Sequence, residues 1–446
     1  MILFFLTACL TNPATGRLQL NLIGDNTEIE LGEQLAAETT ATMPAVQDAA
    51  LGNYVSDITR KLAALSERPE LPWTITVLDE AAVNAFALPG GNLFITRGLM
   101  TWLGSEDELA AVIGHEIGHV TARHSANTLS RTILTAPLIG LVGALDPRME
   151  HIGAVTGAGV GLARLGHSRE DERQADDLGL RYLRRAGYDP SAMLDVFTVL
   201  ETVDKAEGDR LPTWLLTHPA PADRKTRLGT VTAAGERVVG DYLTRIDGMV
   251  FGADPRQGYF EGDRFHHPQL AFRLDFPAGW THSNQHTAVS SVSETGTATF
   301  ALSLAPEETP EAAVAAFMEP REISEREGAG VGQAFRLSMT TAGAVRSVDG
   351  LVAAVRHGET VYRMVGVGSA EDWPEVEAAV VTTIESFAEE VDPMVLEKEP
   401  ERLRVGEVVE MSMESFAGLH PRRDSSFLAD LNRQRDGVEG WARWVE

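Results

Sequence analysis

The feature that most constrains this chain is a capped, apolar-periodic helix with two histidines four residues apart inside it. Ser105, with Glu108 three residues on, reads as a capping box, and Leu109, Val112, Ile113, Ile117 and Val120 then recur at helical spacing. The pattern predicts a helix from about Glu106 to Leu129 and contains His115-Glu116-Ile117-Gly118-His119. At about 3.6 residues per turn, His115 and His119 lie one above the other, so their imidazoles can converge on one ion. Glu116 is offset toward a water beside that ion, where it is placed to act as a base. Taken alone, the same spacing also describes a solvated polar face, so a third ligand has to be found.

An extension with Gly at 122 and His at 125 would make the site a metzincin, but the chain has Ala122 and Ser125. His124 is no substitute, because five residues past His119 is about 140° around a helix. A second helix starts at Ser168, capped through Asp171, and stops near Arg184-Arg185-Ala186-Gly187, with Pro190 beyond. Glu172 and Asp176 share one of its faces, so one carboxylate can bind zinc while the other accepts a hydrogen bond from a ligand histidine. Glu170, Asp171 and Asp177 lie alongside and keep a plain acidic face open as the alternative.

Composition narrows the partners. With 38 Lys and Arg against 65 Asp and Glu, the net charge is -27, a field that repels phosphates and argues against nucleic acid. A single cysteine excludes a disulfide framework and any cysteine-rich metal site. The 446 residues are enough for roughly three domains at about 150 residues each. A helical pattern runs from about Ile29 to Leu65, and short strands over 71–78 and 82–96 are broken by Pro89-Gly90-Gly91. From Tyr259 an α+β domain begins. Its strand-like runs are Ala271–Phe276, Thr297–Leu304, Gln333–Met339, Ala344–Val348, Leu351–Arg356 and Thr360–Val367, with helices over Pro310–Met318 and Glu371–Phe387. Asp349-Gly350 and His357-Gly358 read as turns between the later strands. Asp392 to Glu446 is short and charged. No segment has the roughly 20 apolar residues of a membrane span, and Thr132 to Leu145, the nearest, contains Pro137. The glycine-rich 138–165 stretch reads as core or lid.

Taken together, several motifs in one order resemble the CAAX prenyl endopeptidase family, in its soluble periplasmic branch. They are Asn12-Pro13-Ala14-Thr15-Gly16, Asn84 to Gly91, His115 to His119, Ser168 to Asp176 with Gly187-Tyr188-Asp189-Pro190, and Thr217-His218-Pro219. The resemblance covers roughly Asn12 to Leu228. It implies a mainly helical, zincin-type catalytic domain with a small edge-exposed sheet over 9–250. An α+β sheet domain over 259–390 and a short C-terminal module over 392–446, read from the residue pattern, lie beyond what the resemblance covers. It further implies one zinc ion per chain held by His115, His119 and Glu172, with Glu116 as base and Asp176 behind a ligand. Helical phase favours Glu172 over Glu170 and Asp171, since only Glu172 has Asp176 one turn on. His218 would lie over the metal, either filling the open position or donating to an oxyanion. Asn84, Ala85 and Phe86 would offer an edge strand to an extended substrate, with Phe86 as groove wall or as core. Arg224 is a weaker candidate for orienting substrate or Glu172.

The expected activity is endopeptidase cleavage of extended or misfolded envelope polypeptides. The alternative is an envelope chaperone or assembly factor whose protease site is secondary, with the region from Tyr259 binding an envelope partner. The run Leu6-Thr7-Ala8-Cys9 resembles a lipobox, making residues 1–8 a signal-peptide remnant whose true start lies upstream. Cys9 is then the lipidation site and the only link to a membrane. Because Leu10 is not an aspartate, the periplasmic face of the outer membrane is the expected location.

Overall fold

The architecture comes from a computed structural model. It describes residues 9–14, 16, 18–20, 23–128, 130, 167–207, 214, 217, 218, 221–233, 240–319, 323–326, 332–341, 344–420, 425–433 and 437–446. Residues 1–8 and the apolar 138–165 stretch lie outside the described residues. The chain divides into two compact units. One holds the described residues up to Ala253 together with Glu401–Glu446, and the other holds Asp254–Pro400. The first is rich in helix and the second in sheet, an α+β chain as the sequence implies.

In the first unit, β1 (Cys9–Thr11) pairs antiparallel with β2 (Leu18–Leu20). The helix expected over Ile29 to Leu65 is two helices, α1 (Asp25–Thr42) and α2 (Ala49–Ala63). Pro44 disfavours helical geometry at Met43, and Asp48 starts the second helix by accepting a 2.9 Å hydrogen bond from the Leu51 amide. Three strands follow, β3 (Thr74–Leu78), β4 (Ala85–Leu88) and β5 (Asn92–Thr96). The central β5 runs parallel to β3 and antiparallel to β4, which leaves β4 at an edge of this sheet. Between β4 and β5, Gly90 has φ +78, and a Cβ there would run into the α1 backbone at Ile29, so the expected turn needs its glycine.

Next come α3 (Arg97–Trp102) and α4 (Glu106–Thr121), the histidine helix. The Ser105 hydroxyl accepts from the Glu108 amide as expected, but the Glu108 carboxylate accepts from the Gly104 amide. The regular helix was expected to reach Leu129 and stops at Thr121, because Arg123 adopts a left-handed φ of +61. Such a backbone costs on the order of 1–3 kcal/mol. Buried contacts hold it, since the Arg123 guanidinium lies 2.9 Å from Glu28 and donates to the Ile23 carbonyl at 2.6 Å.

Further described helices of this unit are α5 (Arg169–Ala186), α6 (Ala192–Glu207), α7 (Pro221–Leu228) and α8 (Gly240–Ile246). Their sequence signals hold well at α5. Ser168 and Asp171 form a reciprocal capping box, and Gly187, φ +80, closes the other end. Helices α4 and α5 approach closely, since a Cβ on Gly118 would sit 2.8 Å from the Ala175 carbonyl oxygen and one on Gly179 would sit 3.1 Å from the His115 nitrogen.

The second unit begins with β6 (Tyr259–Glu261), β7 (Arg264–His267), β8 (Phe272–Asp275), β9 (Thr281–Gln285), β10 (Ala288–Val292), β11 (Ala298–Ala305) and α9 (Pro310–Met318). It continues with β12 (Ile323–Arg326), β13 (Gln333–Thr341), β14 (Ala344–His357), β15 (Thr360–Ser369), α10 (Trp373–Glu385) and β16 (Ala388–Glu389). A seven-stranded sheet of order β12-β13-β14-β15-β11-β10-β9 and a four-stranded sheet of order β16-β8-β7-β6 result. Phe265, Phe300, Tyr362, Trp373 and Val380 sit in one buried cluster of this unit. The turn expected at Asp349-Gly350 is instead the middle of β14. Buried Asp349 accepts two hydrogen bonds from Arg336 across the strand pair, at 2.6 and 2.7 Å. Gly350 leaves room for the Phe335 ring. His357-Gly358 is a true turn, with Gly358 at φ +59.

The chain then returns to the first unit through β17 (Leu403–Ser412), α11 (Met413–Leu419), α12 (Ser425–Asn432) and β18 (Gly437–Val445), with β17 and β18 paired antiparallel. The sequence reads 392–446 as a separate module, whereas Leu403, Leu431 and Val445 share the core of the first unit. The buried Arg443 guanidinium donates to the Thr101 and Leu103 carbonyls at the end of α3, at 3.2 and 2.7 Å.

Glu28 on α1 is 1% exposed and faces two guanidiniums, Arg68 and Arg123, each at 2.9 Å. Glu28→Ala would leave both buried guanidiniums with only the exposed Asp25 carboxylate between them, at an expected cost of up to about 3 kcal/mol. Chemical denaturation measures it, and a loss below about 1 kcal/mol, the range of an exposed pair, would refute the role assigned to Glu28.

Candidate metal centre

Helices α4 and α5 set the predicted ligands face to face. His115 Nε2 lies 3.0 Å from His119 Nε2, and the Glu172 carboxylate oxygens lie 3.6 and 3.4 Å from those two nitrogens. His218 closes the group, its Nδ1 3.0 Å from Glu172 Oε1 and 3.3 Å from His115 Nε2. One donor atom from each of these four buried residues lies within 4.8 Å of the others. The competing carboxylates point elsewhere. Glu170 is 75% exposed beside Arg173, and Asp171 is taken up by the cap of α5.

The surroundings fit a cation. His115 Nδ1 is 3.1 Å from Asp176 Oδ1, and a carboxylate only accepts, so the ring proton is on Nδ1 and the Nε2 lone pair faces the cluster. Two imidazoles and a carboxylate form a common zinc ligand set, with one further position left for water, substrate or another residue. Asp176 is held in turn by Arg224, which donates from Nε at 3.0 Å and from Nη2 at 2.6 Å. The Arg224 guanidinium is buried, lies over the Phe197 and Trp214 rings, and has Nη1 2.6 Å from Glu172 Oε2. Of the two roles considered for Arg224, orienting substrate or Glu172, this placement sets its guanidinium against the carboxylates of α5.

Glu116 stands apart. Both its carboxylate oxygens are buried without a hydrogen-bond partner among the described residues, and the nearest ionic group recorded is His218 Nε2 at 3.6 Å. Burial pushes its pKa up, against the pull of the nearby histidines. Glu172 goes the other way, because the His218, His119 and Arg224 contacts outweigh the burial that would raise it. Burial alone would lower His218, but Glu172 and Glu116 raise it. His119 is held well below its ordinary value by burial and by His167.

Two residues in this neighbourhood were not predicted. His167 lies against His119 with ring centroids 3.9 Å apart, and its own pKa is pushed down to about 3, chiefly by burial. Its position just before the Ser168 cap was the available signal. His124, set aside on helical phase, reaches His119 because the helix breaks at Arg123, and its Nδ1 lies 2.9 Å from His119 Nδ1.

The expected substrate strand is only partly as drawn. β4 is an edge strand of its sheet, but Ala85 and Phe86 are buried, and Phe86 stacks on Phe94 at 5.0 Å within a small core with Leu35, Leu78 and Leu88. Phe86 is therefore core rather than groove wall, which leaves backbone groups as what this strand can offer. Asn84 precedes β4, with its Oδ1 buried and unpartnered among the described residues. For Cys9 the structure describes a backbone position in β1.

All of the clustered residues fall within 49–232, which matches the family model described as Peptidase family M48. The chain is 30% identical over 224 residues to the beta-barrel assembly-enhancing protease of Escherichia coli (strain K12), an alignment covering 48% of this chain and 45% of that one. It is 35% identical over 178 residues to the mitochondrial metalloendopeptidase OMA1 of Arabidopsis thaliana, covering 40% and 35%. The chain spans about half the length, or less, of these relatives. Among solved structures, the Ran-binding protein Mog1p of Saccharomyces cerevisiae aligns with 31% of this chain at 11% identity and a TM-score of 0.23. No helix among the described residues is long and apolar enough to cross a membrane. The paired histidines of α4 and the facing carboxylate of α5 lie in the segment, residues 49–232, that is similar to Peptidase family M48 and to part of the beta-barrel assembly-enhancing protease.

Proposed function

We propose that this chain is a zinc-dependent endopeptidase that cleaves extended or misfolded polypeptides of the cell envelope. The observation that carries the reading is the convergence of His115, His119, Glu172 and His218 beside a buried, unpartnered Glu116. His115, His119 and Glu172 would hold the ion. Bound zinc would supply a Lewis acid that polarises the scissile carbonyl and makes water acidic enough to attack near neutral pH. Glu116 takes the proton of the attacking water, and its raised pKa suits it to pass that proton to the leaving amine. Asp176 orients His115, and Arg224 holds Asp176 and balances the charge of Glu172.

His218 has two roles consistent with its place. Its Nδ1 among the other donors favours a resting site that is held back by a histidine in the fourth position. Its Nε2, 3.6 Å from Glu116, favours donation to a developing oxyanion once substrate is bound. An extended substrate is supported by the edge position of β4, where backbone groups pair with a peptide of almost any sequence. The envelope location rests on the resemblance to the assembly-enhancing protease and on the lipobox-like run before Cys9, which would be acylated. A second reading, an assembly factor with a secondary protease site, is motivated by the second unit, which lies outside the matched segment.

A peptidase assay tests the core of this. Glu116→Gln and zinc chelation should each reduce turnover by at least about 100-fold, and full activity in either case would overturn the reading. In the same assay His218→Ala should raise the rate if the histidine plugs the site and lower it if the histidine serves the oxyanion. A Glu116→Gln chain that fully rescues a deletion strain would favour the assembly-factor reading. Metal content should fall most in Glu172→Ala, with Glu170→Ala and Asp171→Ala close to wild type; undiminished zinc in Glu172→Ala would remove it from the ligand set. For the anchor, wild type should fractionate with membranes and Cys9→Ser should not, and identical mass and fraction for both would make Cys9 incidental.

A further inference from the structure

Each of the two histidines on α4 meets a partner at its outer nitrogen, and the partners differ. For His115 it is the Asp176 carboxylate. For His119 it is the imidazole of His124, Nδ1 to Nδ1 at 2.9 Å. A nitrogen-to-nitrogen contact of that length needs one proton between the two atoms, and the far side of His124 decides which ring supplies it. His124 Nε2 lies 3.0 Å from Gln174 Oε1 and 3.5 Å from Asp171 Oδ1, both oxygen acceptors. In the neutral imidazole the proton therefore sits on Nε2, so His124 Nδ1 accepts and His119 Nδ1 donates. That leaves the Nε2 lone pair of His119 directed at His115 and Glu172, where an ion would need it.

We propose that Gln174 and His124 form a hydrogen-bond relay that fixes the tautomer and orientation of His119, making His124 a positioning residue of the metal centre. Four further observations support it. The left-handed Arg123 that swings His124 back is strained, and its side chain is held by buried contacts to Glu28 and Ile23. Gln174 is on α5, so one helix supplies Glu172, the Asp176 that orients His115 and the start of the relay to His119. The nearer acceptor for His124 Nε2 is the uncharged Gln174 amide at 3.0 Å, with the part-exposed Asp171 carboxylate farther off at 3.5 Å. His167 covers the face of the His119 ring and resists its rotation.

The inference rests on the zinc reading of the centre, and the test separates the two. Zinc affinity of the full chain, prepared metal-free, is measured by competition with a chromophoric chelator, alongside the thermal midpoint of the metal-free protein. His124→Phe should weaken zinc binding about 10- to 100-fold with little change in the metal-free midpoint. His124→Gln, which restores an acceptor oxygen, should recover most of the loss. Gln174→Leu leaves His124 in place and removes only its acceptor, so it should weaken binding severalfold even if the Phe variant folds poorly. Wild-type affinity in Gln174→Leu and His124→Phe would overturn the relay alone. So would equal losses in His124→Phe and His124→Gln accompanied by equally lowered midpoints, which would mark His124 as packing. A wild-type chain that takes up no zinc would overturn the centre itself.

Discussion

Two helices can bring their backbones together only where neither carries side-chain bulk, and the site depends on one such contact. Gly114 and Gly118 on α4 face Gly179 and Ala175 on α5, so the helices meet at a separation where even one Cβ at Gly118 would strike a carbonyl oxygen. Carboxylates are short. Glu172 and Asp176 reach His115 and His119 only because their helix lies this close, and a looser packing would put water between them. The glycine inside the His-x-x-x-His span is thus a packing requirement, and the ligand geometry follows from it.

That approach also concentrates charge where solvation is lost. Glu172 and Asp176 are fully buried, and a buried carboxylate is costly unless paired and hydrogen-bonded. Arg224 and His115 provide the pairing, and His218 adds to it at Glu172. Glu116 is the exception, buried with neither oxygen bonded among the described residues. An ionisable group left unsatisfied in a site that elsewhere satisfies its charges is a mark of reactivity. Its raised pKa comes from burial, which outweighs the opposing pull of His218 and His115.

The frame around the site is tied together by ion pairs and carbonyl contacts distant in sequence. Glu28 joins α1 to Arg68 and to Arg123 just beyond the histidine helix, so the N-terminal helix supports the break that delivers His124. From the other end of the chain, Arg443 caps α3, which precedes the histidine helix. Residues far outside the matched segment therefore contribute to the unit that holds the site.

Local patterns were legible in the sequence wherever the determining chemistry spans a few residues. The cap at Ser168, the stop at Gly187, the turn at His357-Gly358, the bounds of α9 and the facing of Glu172 and Asp176 all depend on neighbours within one or two turns of chain. Tertiary contacts decided the rest. Asp349-Gly350 has turn composition but lies within a strand, because Arg336 satisfies the aspartate and Phe335 needs the glycine's space. The helix expected to run on to Leu129 breaks at Arg123 because buried Glu28 pulls the arginine inward, which carries His124 from the far side of a regular helix onto His119. Phe86 became core through Phe94, and the last 46 residues, Glu401–Glu446, joined the first unit through apolar contacts and Arg443. Periodicity and capping are short-range properties of the chain, so a sequence displays them, whereas the partner of a buried charge or ring is set by packing between distant segments and exists only in the folded protein.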